Sequence, residues 1–350
     1  MSLSNESNFF NGKKDILLKY YAILDKQFNK AAKTNSVVTK YLDLGVRKIK
    51  LEIANEEIIP RIEQNFNFTI KDNLDHYDSV LHIWKDDVRS FLSSSYQNKK
   101  YLAVVYNKQT IMRFFLEYNM LNAQNIFSKS FYFSASDFSD KILPKFGHLF
   151  VNAIFPATLT SHSSLAHAAS VGIDNKGVLI CASSGGGKTT LAITCLMDNF
   201  QYVSDDYLII NKENNILYSH PIYSMVTLTP QIYNNLTNLK SKFMYDNYNN
   251  TKYTLDISAY NNNFVKSLPI KAMIFPSISD ISEPTIEKSN NTKAITQFVY
   301  STAKQMDQHL NKEYVKLLLS LVKDLDCYQI NLSRNLDKNV KILRQFIKEL

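Results

Sequence analysis

The chain has 350 residues, 45% of them hydrophobic and 21% charged, which places it inside the globular range with room for one large domain or two ordinary ones. Its net charge of +8 comes from 40 basic and 32 acidic residues interleaved without a basic block, so a nucleic-acid partner is not expected. Cys181, Cys195 and Cys327 sit in apolar runs without metal-ligand spacing; as three thiols they cannot all pair within one chain, and a reducing cytoplasm is the expected location. The segment Met1 to Lys14 is polar where a secretory signal needs an apolar stretch, and the longest apolar run, near Phe146 to Leu159, is interrupted by His148 and Pro156, so no membrane partner is expected.

The apolar spacing of Ile16, Leu17, Tyr20, Tyr21, Leu24 and Phe28 predicts a helix over 15–31. Strict alternation then predicts a strand over 48–53, followed by a short helix carrying Pro60 and by strands over 80–84, 101–106, 110–118 and 128–133, with Asn107, Lys108 and Gln109 as a hairpin turn. Residues 139–159 read as helical. From Leu165 the order is strand (165–173), turn at Asp174 and Asn175, strand (177–181), glycine loop, helix (189–198) and strand (201–210). The Asn-rich stretch 244–263 reads as a mobile excursion before an apolar strand over 268–275, and the chain closes with helix (312–324), strand (327–332) and helix (337–349).

Five of the eight glycines fall between Gly172 and Gly187, which calls for bare backbone there. The run Gly177 to Cys181 leads into Ala182-Ser183-Ser184-Gly185-Gly186-Gly187-Lys188-Thr189-Thr190 and then into a helical run, the strand, loop and helix order of a phosphate loop. Glycines let successive N–H groups converge on phosphate oxygens, and the helix N-terminus adds partial positive charge. Ser183, Ser184, Gly185, Gly186, Gly187, Lys188, Thr189 and Thr190 are therefore the candidate ATP-binding residues, with Lys188 reaching the β- and γ-phosphates and the Thr189 hydroxyl placed to ligate Mg²⁺. Ala182 stands where the usual pattern has its first glycine. A plain glycine turn is the competing explanation.

Two adjacent carboxylates, Asp205 and Asp206, follow within strand-forming residues. In a half-buried sheet such a pair needs a cation or donors to offset its burial; Mg²⁺ would supply that, with one carboxylate in the metal shell and the other near the attacking hydroxyl where a local bend turns both toward the phosphates. A solvated turn is the alternative. His167 precedes the loop on a strand expected to pair with the one feeding it, where a structural histidine is the simpler account. His162 and Lys271 are weaker candidates, the latter read as a snorkelling edge lysine.

Together His167, the loop through Thr189, and Val203-Ser204-Asp205-Asp206 resemble the catalytic domain of HPr kinase/phosphorylase, a group related to the phosphoenolpyruvate carboxykinases. That resemblance implies an α/β fold: a mixed-sheet P-loop kinase core over 136–350, preceded by an α+β accessory region over 1–135 that contributes acceptor binding. It implies Lys188 on phosphate, Thr189 and Asp206 on Mg²⁺, Asp205 activating the acceptor hydroxyl and His167 beside the transferring phosphate, with the two aspartate roles exchangeable. Homo-oligomers are part of the same resemblance. Pro221 to Asn235 lacks the glycine and arginine that such kinases carry there, so an acceptor other than HPr is expected. The leading expectation is an ATP-dependent kinase acting on a hydroxyl, serine of a peptide or protein first; a small-metabolite kinase and an ATP-sensing module without turnover are the alternatives.

Overall fold

The computed structural model describes residues 8–11, 14–107, 109–139, 148–182, 185–246, 252–306 and 311–350. The chain is α/β with mixed sheets. It divides into two compact units: the first runs to Asp43 and takes Arg47–Glu63 and Ile70–Ala157, and the second takes Leu44–Val46, Gln64–Thr69 and Thr158–Leu350. The last crossing from the first unit to the second falls after Ala157.

In the first unit, strand β1 (Asn8–Asn11) precedes helix α1 (Lys14–Thr34). Leu17, Tyr21, Leu24 and Phe28 recur at three- and four-residue steps and give α1 one buried stripe. The helix stops where the Asn35 side-chain amide donates to the Ala31 carbonyl at 3.0 Å. There follow β2 (Val38–Asp43), β3 (Lys48–Ile53), α2 (Ile59–Phe66, whose last turn, from Gln64, belongs to the second unit), β4 (Ile70–Lys71), β5 (Ser79–Lys85), α3 (Ser94–Gln97), β6 (Tyr101–Tyr106), β7 (Gln109–Phe115), β8 (Met120–Asn125), β9 (Ser130–Ala135) and α4 (Val151–Thr158, its last residue in the second unit). The strands form one sheet in the order β1-β6-β7-β8-β9-β5-β3-β2-β4. As its alternation requires, β3 buries Ile49, Leu51 and Ile53. Trp84, Leu102, Phe114 and Tyr132 pack with the stripe of α1, and two phenols tie helix to sheet: Tyr21 donates to the Gln124 carbonyl at 2.8 Å and Tyr132 to Asp25 Oδ1 at 2.7 Å. Asn107 takes the left-handed conformation between β6 and β7, while Lys108 of the expected turn lies outside the described residues. So do residues 140–147 of the expected 139–159 helix, of which α4 is the described part. No described helix is long and apolar enough to cross a membrane.

The second unit contains β10 (Ser163–His167), β11 (Ala169–Ile173), β12 (Lys176–Ile180), α5 (Lys188–Met197), β13 (Gln201–Ser204), β14 (Tyr207–Glu213), β15 (Ile216–His220), β16 (Met225–Leu228) and α6 (Pro230–Asn235). It continues with β17 (Lys242–Asp246), β18 (Tyr253–Asp256), β19 (Leu268–Ile278), β20 (Thr285–Lys288), α7 (Asn291–Gln305), α8 (Lys312–Val322), β21 (Asp326–Leu332) and α9 (Leu336–Glu349). Its main sheet runs β10-β14-β15-β19-β12-β11-β13, with β21 joining β19 and β20 joining β21. Strands β12 and β21 both run parallel to β19, so the chain leaves all three at the same edge of the sheet, where parallel α/β sheets carry their sites. Helices α5 and α9 cover one face, packing Leu191, Cys195, Val340 and Leu343 with Val178, Ile180, Ala272 and Ile274.

Two of the clustered glycines serve the sheet rather than the loop. A Cβ on Gly172 would stand 2.7 Å from the Lys176 carbonyl oxygen, and one on Gly177 2.6 Å from Leu268 Cγ. The Asn-rich stretch also departs from expectation: β17 and β18 pair with each other and β18 with β16, and Thr254, Leu255 and Ile257 are buried. The β-forming side chains around Tyr253 find partners near Met225, and that pairing outweighs the loop-like composition; residues 247–251 lie outside the described ones. Helix α7, absent from the sequence reading, buries Ala294, Ile295, Phe298 and Val299.

Candidate active site

Strand β12 is anchored at its exit, where the Cys181 N–H donates to the Ile274 carbonyl at 2.8 Å. Ser183 and Ser184 lie outside the described residues. Gly185 and Gly187 have φ of +83° and +89°, the left-handed region that glycine enters without strain, with Gly186 between them. Gly187 is the N-cap of α5 and brings no side-chain cap, so the first-turn N–H groups remain donors for a bound anion. Among the described residues, a Cβ at Gly185 would meet nothing within 4 Å.

Lys188, the first residue of α5, is 7% exposed, and its Nζ donates to Asp206 Oδ1 at 2.6 Å. The same carboxylate oxygen lies 3.0 Å from His167 Nε2. His167 ends β10, its Nδ1 3.2 Å from the Ser301 hydroxyl, while its backbone N–H donates to Thr302 Oγ1 at 3.3 Å. Its ring sits 5.8 Å from that of Tyr207.

The acidic pair occupies a bend between β13 and β14, and the register shows what the bend interrupts. Ser170 faces Ser204 on one side of it and His167 faces Tyr207 on the other, so β10–β11 and β13–β14 form one antiparallel ladder broken at Ala168 and at the two aspartates. The Ser204 hydroxyl holds the break, donating to the Tyr207 carbonyl at 2.7 Å and accepting the Asp206 N–H at 3.3 Å. The break turns two consecutive side chains out of strict alternation, so both carboxylates meet residues of α5.

Their surroundings differ. Asp205 is 4% exposed, and burial, followed by the neighbouring Asp206 charge, pushes its carboxyl up to about 7 against the opposing pull of Lys188 and of the nearby Thr189 hydroxyl. The Tyr202 phenol stands 3.5 Å from Asp205 Oδ1, kept protonated because burial raises it well above its ordinary range. Asp206 retains 29% of its side-chain exposure and is the more accessible carboxylate of the two.

The structure thus gathers His167, Lys188, Thr189, Asp205 and Asp206 at one place. Thr190 lies at the rim of an adjoining cavity. His162 engages instead through its carbonyl, which accepts the Lys212 N–H at 2.8 Å, and Lys271 is an exposed residue of β19. Ser301, Thr302, Tyr202 and Tyr207 also shape the site; the α7 pair carries no motif, whereas both tyrosines flank the acidic pair closely enough to have been considered. Among the described residues, no group of three or more His, Cys, Asp or Glu side chains forms a metal-binding cluster.

No family model matches the chain, and no curated protein does. Among solved structures, the HPr(Ser) kinase/phosphatase from Coxiella burnetii shows a weak likeness, with a TM-score of 0.30 and 12% identity over 53% of this chain and 95% of that one.

Proposed function

We propose that the chain is an ATP-dependent kinase that transfers the γ-phosphoryl group to a hydroxyl, with serine of a peptide or protein as the leading acceptor. The observation that carries this reading is the convergence of Lys188, Asp206 and His167 beside a glycine loop that opens an uncapped helix, with the buried Asp205 and the Thr189 hydroxyl close by. A lysine and a histidine on one carboxylate oxygen form an arrangement suited to phosphate, since an incoming anion can draw the lysine away and so make the carboxylate a better proton acceptor.

The N–H groups of the loop and of the first turn of α5 would hold the β- and γ-phosphates, and Lys188 would turn from Asp206 to bridge them. The residues fit Mg²⁺: a hard cation that keeps several waters needs few protein oxygens, and the Thr189 hydroxyl already faces a buried carboxylate that a cation would compensate. This favours Thr189 and Asp205 as the holders of the ion and Asp206 as the base, the exchanged form of the roles expected from the resemblance. When bound, the ion would neutralise charge on the transferring group. Asp206 would take the acceptor hydroxyl proton, and His167 would fix that carboxylate's orientation while Ser301 fixes the ring.

The test is calorimetric titration with ATP and Mg²⁺, followed by ³¹P NMR with serine peptides and free serine. A phosphoester signal lost in Asp206→Asn while ATP binding persists supports the reading. Binding without any phosphoester signal across the acceptors would favour an ATP sensor, and no binding would overturn nucleotide recognition altogether.

A further inference from the structure

We infer that a cavity beside the loop seats the nucleobase and ribose of the nucleotide and selects adenine through two amide side chains of α6. The inference rests on the nucleotide reading above. The cavity has a volume of about 460 Å³ and meets the loop at Gly187 and Thr190. Its walls include Ile232, Ile278, Leu332 and Leu336, and its size and apolar lining are those of small-ligand sites. None of His167, Lys188, Asp205 and Asp206 lines it. The loop therefore has a charged side and an apolar side, the same asymmetry that a nucleoside triphosphate has along its length.

Close approach to the loop is built in. A Cβ on Gly187 would lie 3.0 Å from Leu332 Cδ1 and 3.6 Å from Ile278 Cγ1, so these apolar groups reach the point where the phosphates would end. Ile278 is 60% exposed, an apolar face that a planar base laid against it would cover.

The polar groups narrow the choice of base. Asn339 and Ser333 satisfy each other, with the Ser333 N–H donating to Asn339 Oδ1 and the Asn339 amide to the Ser333 carbonyl, both at 2.9 Å. Arg334 donates through Nε to Asp280 at 3.0 Å. Gln231 and Asn235 also line the cavity, lie one turn apart on the same side of α6 and are exposed. An amide offers a donor and an acceptor side by side, the complement of the adenine N6 and N7 positions, where guanine presents two acceptors.

Calorimetry on the full chain with Mg²⁺ and three probes, ATP, GTP and tripolyphosphate, tests this. Wild type is expected to bind ATP about tenfold more tightly than GTP. The Gln231→Ala/Asn235→Ala double variant should lose that preference, and Asn235→Trp, which fills the cavity, should weaken both nucleotides at least tenfold. Tripolyphosphate affinity should be the same in all three proteins, and both substitutions are at exposed positions, so folding is not at issue. Parallel loss of ATP and tripolyphosphate, or unchanged ATP affinity in the variants, would overturn the subsite. Tripolyphosphate binding with ATP no tighter removes the subsite alone, whereas failure of wild type to bind either probe removes the nucleotide reading with it.

Discussion

Asp205→Asn should stabilise the second unit, and the gain should depend on pH in a way that identifies its cause. Burial lifts this carboxyl from the ordinary 3.8 to about 7, so between those values the folded chain holds a proton that the unfolded chain has released. Stability conferred by that proton is complete below the unfolded value and is lost as pH rises toward the folded one. At 1.36 kcal/mol per pKa unit, the full loss is roughly 4 kcal/mol. Asparagine is never ionised and escapes it, while keeping nearly the same size and a carbonyl oxygen in the same place. The expected advantage of the variant is therefore roughly 2 to 4 kcal/mol at pH 8, shrinking toward zero near pH 4.

The probe must report on the right unit. The one tryptophan, Trp84, lies in the first unit and does not report on the second. All three cysteines, Cys181, Cys195 and Cys327, are buried and free, and all lie in the second unit. Labelling by a dipyridyl disulfide, which reacts in acid as well as at neutral pH, would follow opening of that unit against urea. A variant no more stable than wild type at pH 8, or one whose advantage is the same at pH 5 and pH 8, would refute the account of a desolvated, proton-holding Asp205. Such a gain at the expense of activity is what a site held in an unfavourable state predicts.

Three further outcomes follow from the same geometry. Binding of Mg²⁺ with ATP should expel the Asp205 proton, so titration in buffers of different ionisation enthalpy should register about 0.9 proton released at pH 6 and about 0.1 at pH 8; equal release at both values would count against Asp205 as an ion-holding group. Lys188→Ala should weaken ATP and tripolyphosphate alike by roughly tenfold to a hundredfold, the worth of a charged hydrogen bond to phosphate, as read by calorimetry; a loss confined to ATP would place the lysine elsewhere. Gly187→Ala combines φ of +89° with a Cβ 3.0 Å from Leu332 and should lower stability by about 1 to 2 kcal/mol, with reduced nucleotide affinity; a neutral result by thiol labelling would contradict the left-handed N-cap.

What could be read from the sequence is what depends on near neighbours. The glycine loop was legible because the strand before it, the bare backbone and the helix after it are contiguous, and α1 and α9 were legible because their apolar periods are complete within each helix. The bend at Asp205 and Asp206 was not, because both residues stand in a run of strand formers, and its cause is an interruption in a ladder whose other half lies at 163–173. Nothing local distinguishes a strand that breaks from one that continues. Gly172 and Gly177 were drawn into the account of the loop for the same reason: the Leu268 side chain that excludes a Cβ at both is remote in sequence. Helix α7 does carry apolar residues at helical steps, but its buried positions include Ala294, Thr302 and Ala303, too small or polar to stand out. Yet α7 supplies Ser301 to the His167 ring. The contacts hardest to read were thus those that orient the candidate catalytic groups, since orientation comes from residues chosen for shape and hydrogen bonding at a distance, whereas the groups themselves belong to chemically distinctive residue types.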